Sequence, residues 1–325
     1  MRKIKLAVMG SGMIAGAMGK TVQGMDNVEA YAIASRDLAR AQEFQGKFGF
    51  TKAYGSYEQM LADPEVDLVY IATPHINHEE HAILCARAGK NVLLEKAFAL
   101  TAAQARNIVA EARKNNIMMC EAIWTRYMPL AKTIQDIVKS GKIGKVTGVC
   151  ANLCYAQAGG WRLDASRGGS ALLDIGMYPL TLVSLVLGDD VQDVTAVAVK
   201  NETGADIQQA VVLTYPDGVQ AITYSAFGSA TDRRGMISGT NGYMVVQGMN
   251  NYEAVEVYGL DSVLIERIER PQQITGYEYE VQAAADAILQ GKKECEQMPL
   301  DKSIQFMELL DRIRHTYGLY YACEK

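Results

Sequence analysis

Short apolar runs alternate with helix-length amphipathic stretches from the start of the chain to about residue 121. Lys3–Met9 is apolar enough for a strand buried on both faces, and Met13–Met25 follows with apolar positions at helical spacing. Val28–Ala34 predicts a second strand. Leu38–Phe48 predicts a helix, with Asp37 as its N-cap and Gly49 as its stop. Ser56-Tyr-Glu-Gln59 and Thr101-Ala-Ala-Gln104 have the form of capping boxes; the first opens a short helix and the second one that runs to about Asn115. Further strands are predicted over Leu68–Ala72, Asn91–Leu94 and Ile117–Glu121, with a helix over Glu79–Ala88 closed by Gly89. Strands alternating with helices of this length mean βαβ units and a mostly parallel, doubly wound sheet.

The texture changes after Trp124. A helix over Pro129–Ser140 stops at Gly141, and a long β stretch runs from Lys145 to Tyr155. Beyond a segment around Trp161–Leu187, strand-like runs recur at Val194–Val199, Gln208–Tyr215, Val219–Phe227, Met236–Ser238, Tyr243–Gln247, Ala254–Tyr258 and Ser262–Arg267. Pro216-Asp-Gly218 and Thr240-Asn-Gly242 carry hairpin chemistry, since glycine accepts the positive φ of a tight turn. Helices over about Tyr277–Gln290 and Leu300–Tyr320 finish the chain. The expected organisation is a Rossmann domain over residues 1–122 and an α+β domain over 123–325, the latter with a large, mainly antiparallel, open-faced sheet. No repeat interrupts either half.

Composition narrows the class. With 325 residues, 49% hydrophobic and 21% charged, the chain can bury a sizeable core in about two domains. A net charge of -5 gives no bulk attraction for phosphate backbones or anionic lipids, so neither nucleic acid nor a membrane surface is expected as a partner. The basic start runs into an apolar stretch too short for a signal-peptide core, and no segment approaches the roughly 20 apolar residues that span a bilayer. Six cysteines without CxxC spacing, Cys150 and Cys154 among them on one strand face, fit reduced thiols in the cytoplasm.

Candidate chemistry begins directly after the first strand. In Gly10-Ser11-Gly12-Met13-Ile14-Ala15, Gly10 permits the tight turn, Gly12 lets a pyrophosphate approach the backbone, and small Ala15 lets helix pack on strand. The helix N-terminus then offers N–H groups to the phosphates. At the tip of the second strand stand Ser35, Arg36 and Asp37. Arg36 suits a 2′-phosphate with Ser35 donating its hydroxyl, while Asp37 fits better as a helix cap than on a ribose. NADP is therefore expected over NAD, with NAD possible as a second cofactor.

Three later segments add specificity: Ala72-Thr73-Pro74, Glu95-Lys96, and Gly168-Gly-Ser-Ala-Leu-Leu-Asp174-Ile-Gly-Met-Tyr178-Pro. With the glycine motif they resemble the Gfo/Idh/MocA oxidoreductase family over essentially the whole chain. Lys47-Phe-Gly, Ala53-Tyr-Gly-Ser-Tyr57, Glu121-Ala-Ile-Trp-Thr-Arg126 and Tyr178 are most similar to the branch that holds the dimeric dihydrodiol dehydrogenases and glucose–fructose oxidoreductase, which typically uses NADP. The resemblance implies that Lys96 and Tyr178 meet at the nicotinamide, that Asp174 supports substrate placement, and that the second-domain sheet makes a dimer or tetramer. Ala97 stands where the family usually has proline, which removes a rigid φ beside Lys96.

Hydride transfer from a carbinol needs a group to take the hydroxyl proton. A free tyrosine, with a pKa of about 10, is too weak a base at neutral pH unless an ammonium lies nearby. Tyr178 is expected as general acid/base with Lys96 tuning it; the reverse assignment, with Lys96 as proton donor, stands beside it. Thr73, Pro74, His75 and His78 are expected to line the nicotinamide-ribose end with Glu95, and His81 to be structural. The histidines find no matching Cys or distant His, so no metal is expected. Trp161 and Arg162 resemble a family segment that reaches the cofactor, and Trp124 with Arg126 could face substrate or fill interdomain packing. The substrate expected is a sugar, cyclic polyol or trans-dihydrodiol. The alternatives are an NAD(P)-sensing regulatory protein on the same fold, or a glycoside hydrolase using NAD.

Overall fold

The computed structural model describes residues 2–324, which gather into two compact units. One takes the chain up to Trp124 together with Gln273–Ile304; the other takes Thr125–Gln272 and the chain from Gln305 onward.

The first unit alternates β1 (Ile4–Met9), α1 (Met13–Gln23), β2 (Val28–Ala34), α2 (Leu38–Phe48), β3 (Lys52–Tyr54), α3 (Tyr57–Leu61), β4 (Leu68–Ile71), α4 (His78–Arg87), β5 (Asn91–Glu95), α5 (Ala102–Lys114) and β6 (Met119–Ala122). Its six strands are all parallel in the order β3-β2-β1-β4-β5-β6, which is the doubly wound nucleotide-binding arrangement. The order reverses between β1 and β4, so the loops after those two strands flank the crevice where such sheets take ligands. The caps explain the boundaries. Asp37 Oδ1 accepts the Ala39 N–H at 2.9 Å, Ser56 Oγ accepts from Gln59 N and Thr101 Oγ1 from Gln104 N, each at 3.2 Å. Gly49 ends α2 at φ 67°. Strand β3 was not anticipated, because three residues at a sheet edge are too few to show a period.

The second unit holds α6 (Pro129–Lys139), β7 (Val146–Tyr155), α7 (Met177–Leu187), β8 (Asp193–Lys200), β9 (Asp206–Thr214), β10 (Gln220–Phe227), β11 (Arg234–Gly239), β12 (Gly242–Gln247), β13 (Ala254–Gly259) and β14 (Leu264–Glu269). Its eight strands run β14-β13-β12-β11-β7-β10-β9-β8; only the β7–β10 pair is parallel. Helices α6 and α7 pack on one face. The other face leaves Val197, Val199, Ile222 and Met236 exposed, so the sheet is open on that side.

Helices α8 (Glu278–Leu289) and α9 (Leu300–Thr316) close the chain. Reading in chain order places all of 273–304 with the second domain, yet this stretch gathers with the first unit. The apolar face of α8 (Val281, Ala284, Ala285) packs on β5 and β6, and Met119 N–H of the edge strand donates to Lys293 O at 3.0 Å. The edge of the parallel sheet is thereby covered. In the second unit Arg314, fully buried on α9, is held by Glu324 at 2.5 and 2.7 Å, by Asp311 at 2.7 Å, and by the Leu319 carbonyl at 2.9 Å. The last residues therefore dock on their own unit.

Candidate active site

Each unit carries its own group of candidate residues. In the first, Gly10 sits at φ 108°, and a Cβ there would stand 2.8 Å from the Ala72 carbonyl oxygen. Only glycine lets the ends of β1 and β4 approach this closely. Gly12 is the N-cap of α1 and offers no side-chain cap, and a Cβ on it would meet nothing within 4 Å. The first-turn N–H groups of α1 thus open onto free space, as a bound pyrophosphate requires. Met13 and Ile14 form the first turn, while Ala15 is fully buried against the sheet.

The end of β2 forms a small polar cluster. Ser11 Oγ donates to Ser35 Oγ at 3.2 Å, and the Arg40 guanidinium donates to the Ser11 carbonyl at 2.9 Å. Arg36 is exposed, and Asp37 is occupied as the α2 cap. Arg40 escaped the sequence reading. Its signal was its place one helical turn beyond Arg36, which brings a second guanidinium back toward the glycine turn.

The loop after β5 is pinned from beneath. Ala97 N–H donates to His75 Nε2 at 3.2 Å, and the same nitrogen lies 3.1 Å from the Lys96 carbonyl. His78 is fully buried, with Nδ1 2.8 Å from the Ala97 carbonyl and Nε2 2.9 Å from the Thr73 carbonyl. Burial pushes this imidazole down to about 4, opposed by the two carbonyl oxygens, each of which favours a ring N–H. The ring staples the Thr73-Pro74 turn to the Lys96 loop. Ala97, Phe98 and Ala99 are buried, so packing holds the loop without the proline. His81 Nδ1 lies 2.9 Å from Thr73 Oγ1 and its ring packs edge-on against Tyr57, a supporting position.

Behind Lys96 lies a buried cluster of Glu95, Tyr70 and Glu280, of which only Glu95 stands in a motif. Tyr70 O–H donates to one oxygen of Glu95, and Lys96 N–H to the other at 3.1 Å. Burial and then the charge of Glu95 keep Tyr70 protonated. Glu280 on α8 is fully buried, and neither of its carboxyl oxygens has a hydrogen-bond partner among the described residues. Burial first, then Glu95, push its carboxyl well above the ordinary range. Trp124 stacks on Tyr277 in the same unit, with ring centroids 4.1 Å apart and planes 13° from parallel.

In the second unit a turn at Gly160–Leu163 carries Trp161 and Arg162, and a π-helical turn at Leu172–Gly176 carries Asp174 and runs into α7. Arg162 Nε donates to Asp174 Oδ2 at 2.9 Å, and its guanidinium lies 5.2 Å from the Trp161 ring centre. Gly169 makes this possible. A Cβ there would lie 2.4 Å from the Trp161 carbonyl oxygen and 2.7 Å from that of Arg162. Tyr178 follows Asp174 by four residues, at the start of α7, and is buried. Arg126, also buried, donates to Ser184 Oγ of α7 at 2.5 Å, which makes it a strut for that helix. Among the described residues no cluster could hold a metal, and no helix is long and apolar enough to cross a membrane.

Known proteins share this architecture. Residues 4–122 match a model described as an oxidoreductase family with an NAD-binding Rossmann fold, and residues 131–245 match a GFO/IDH/MocA C-terminal domain. The chain is 31% identical to trans-1,2-dihydrobenzene-1,2-diol dehydrogenase of Mus musculus over 99% of both chains. It is 33% identical to that of Sus scrofa over 91% of both. A 3-ketoreductase from Actinomadura kijaniata, crystallised with NADP and TDP-benzene, superposes with a TM-score of 0.88 at 27% identity, covering 97% of this chain and 98% of that one. The same ketoreductase has been crystallised with one lysine replaced by alanine or glutamate, and with one tyrosine replaced by phenylalanine.

Glu280 generates a pH test. Its folded pKa lies above its unfolded one, so its stabilising effect is complete below the ordinary carboxylate range and is lost as pH rises toward the folded value. Glu280→Gln does not titrate. Its stability relative to the parent should therefore climb as pH rises through and above the ordinary carboxylate range, by up to about 1.4 kcal/mol per pH unit. Urea denaturation across that window measures the difference; a flat line would mean that Glu280 ionises normally in the fold.

Proposed function

This chain belongs to the Gfo/Idh/MocA oxidoreductases, and we propose that it moves hydride between NADP(H) and a secondary alcohol or its carbonyl, in a sugar, cyclic polyol or trans-dihydrodiol. The observation that carries the reading is the pinned loop of Lys96, held by His75 and His78 at the same strand ends as the open glycine turn. Fixing an ammonium there serves chemistry at the nicotinamide end of the cofactor. The dehydrogenase relatives and the ketoreductase agree with this reaction class.

The nicotinamide, when bound, supplies or accepts the hydride. In the oxidative direction Tyr178 takes the hydroxyl proton as the carbon loses hydride, and in reduction it returns a proton to the carbonyl oxygen. Lys96 favours the phenolate form and hydrogen-bonds the reacting oxygen. Asp174, turned by Arg162, accepts from a second substrate hydroxyl and sets which carbon faces the ring. Ser35, Arg36 and Arg40 hold the 2′-phosphate. A lysine and a tyrosine are also the residues replaced in the ketoreductase, in keeping with these roles. The open apolar face around Ile222 and Met236 serves self-association.

A screen of sugars, inositols and dihydrodiols with NADP and NAD, followed by the absorbance of the reduced nicotinamide, is the primary test. Net cofactor turnover is expected. A glycosidase cycle would cleave substrate with no net change, and a sensor would do neither. With a substrate in hand, Tyr178→Phe should lower kcat by about 10²–10⁴ while leaving cofactor affinity nearly intact; equal loss of both would remove the assigned role. Arg36→Ala and Arg40→Ala should each raise KM for NADP about tenfold or more and leave that for NAD little changed. An unaltered cofactor preference would rule them out. Sedimentation should give a mass of at least twice the chain, reduced by Ile222→Glu, whereas a monomeric parent would end the self-association proposal.

A further inference from the structure

Asp206 has no part in the chemistry above, yet it is fully buried and its Oδ2 accepts the Leu172 N–H at 2.9 Å. Leu172 opens the π-helical turn, whose own preceding residue, Ala171, supplies no side-chain cap. Ser170 Oγ accepts the Leu173 N–H at 3.2 Å from within the same segment, while the Leu172 N–H is capped from a distant strand. Three residues along the same strand, Gln209 is also buried, and its amide nitrogen stands 2.2 Å from where a Cβ on Gly176 would be. One strand, β9, thus meets the π turn at both ends, with Asp174 between the two contacts and Tyr178 just beyond.

We infer that Asp206 is a positioning residue that fixes the rotation of the π turn about its axis and so aims Asp174 and Tyr178. The inference rests on the roles given to those two residues above. A carboxylate is an expensive way to fill a core: burial pushes Asp206 up to about 6, opposed by the Ser170 hydroxyl, the Leu172 N–H and the charge of Lys200. An apolar side chain would serve packing alone. What it could not do is hold one particular N–H and thereby choose a register for a turn wound with an extra residue. Such turns are frequent where a helix carries functional groups. The charge of Asp206 also reaches Tyr317 and Tyr321, helping to keep both phenols protonated.

Asp206→Ala removes the acceptor, whereas Asp206→Asn keeps a carbonyl oxygen for Leu172 while losing the charge and exchanging the second oxygen for an NH2 donor. The alanine variant should lose about 10-fold to 100-fold in kcat with KM for NADP unchanged, and asparagine should restore most of that loss. Amide exchange should rise in peptides covering 170–178 and stay at parental levels in the β8–β9 hairpin. If the alanine variant does not fold, Asp206→Ser, whose hydroxyl is too short to reach Leu172, carries the same expectation. Parental kcat per folded molecule in the alanine or serine variant would overturn the inference. So would equal losses in Ala and Asn, or exchange raised throughout the unit. Tyr178→Phe measured alongside separates the two claims. If it turns over normally, the catalytic reading has failed, and the exchange data alone then decide on Asp206.

Discussion

Two strand ends meet so closely at Gly10 and Ala72 that no side chain fits between them. That steric constraint places the rest of the first unit's site. Because β1 and β4 flank the point where strand order reverses, the turn after β1 can face outward as an anion cradle only if the turn after β4 lies against it. The second turn then carries Thr73 and Pro74 to the rim, and the buried His78 ring passes the constraint on to the loop of Lys96. A backbone approach in one place thus helps fix the backbone of the loop after another strand.

The second unit solves a similar problem with the same device. Gly169 admits the turn of Trp161 and Arg162 against the backbone of the following segment, and the Arg162–Asp174 pair closes the arrangement. Support comes from behind through the β8–β9 hairpin. Asn201 and Thr203 both bond the Leu163 carbonyl, at 2.7 and 2.9 Å, and Asp206 bonds the start of the π turn. Rigid strands therefore hold irregular segments, which is the division of labour expected where geometry must be kept to fractions of an ångström.

How much of this was legible beforehand depends on whether the cause is local. Asp37, Ser56 and Thr101 announce their helices because a cap is a contact within three residues. Gly10 and Gly12 are equally readable, since a backbone need leaves a residue signature. The irregular stretch from Trp161 to Gly176 was not, because its support comes from strands read later in the chain. The placement of 273–304 with the first unit likewise depends on an edge strand more than a hundred residues earlier, and alternation of apolar positions names no partner. Glu280 looked like any glutamate on an amphipathic helix; only its packing on β5 and β6 reveals a buried acid. Lys96 and Tyr178 stood out through the motifs around them rather than through any periodicity.

Strand β7 has an unusual place in its sheet. It is the earliest strand of the second unit in the chain, yet it lies in the interior, between β10 and β11, both of which come much later. Both of its edges must wait, unpaired, while the hairpin of β8 and β9 and the whole of α7 are made. Closing such distant pairings is slow, and a waiting apolar strand invites the wrong neighbour. During synthesis β7 thus gains a partner on one edge only when β10 emerges, and on the other only when β11 follows.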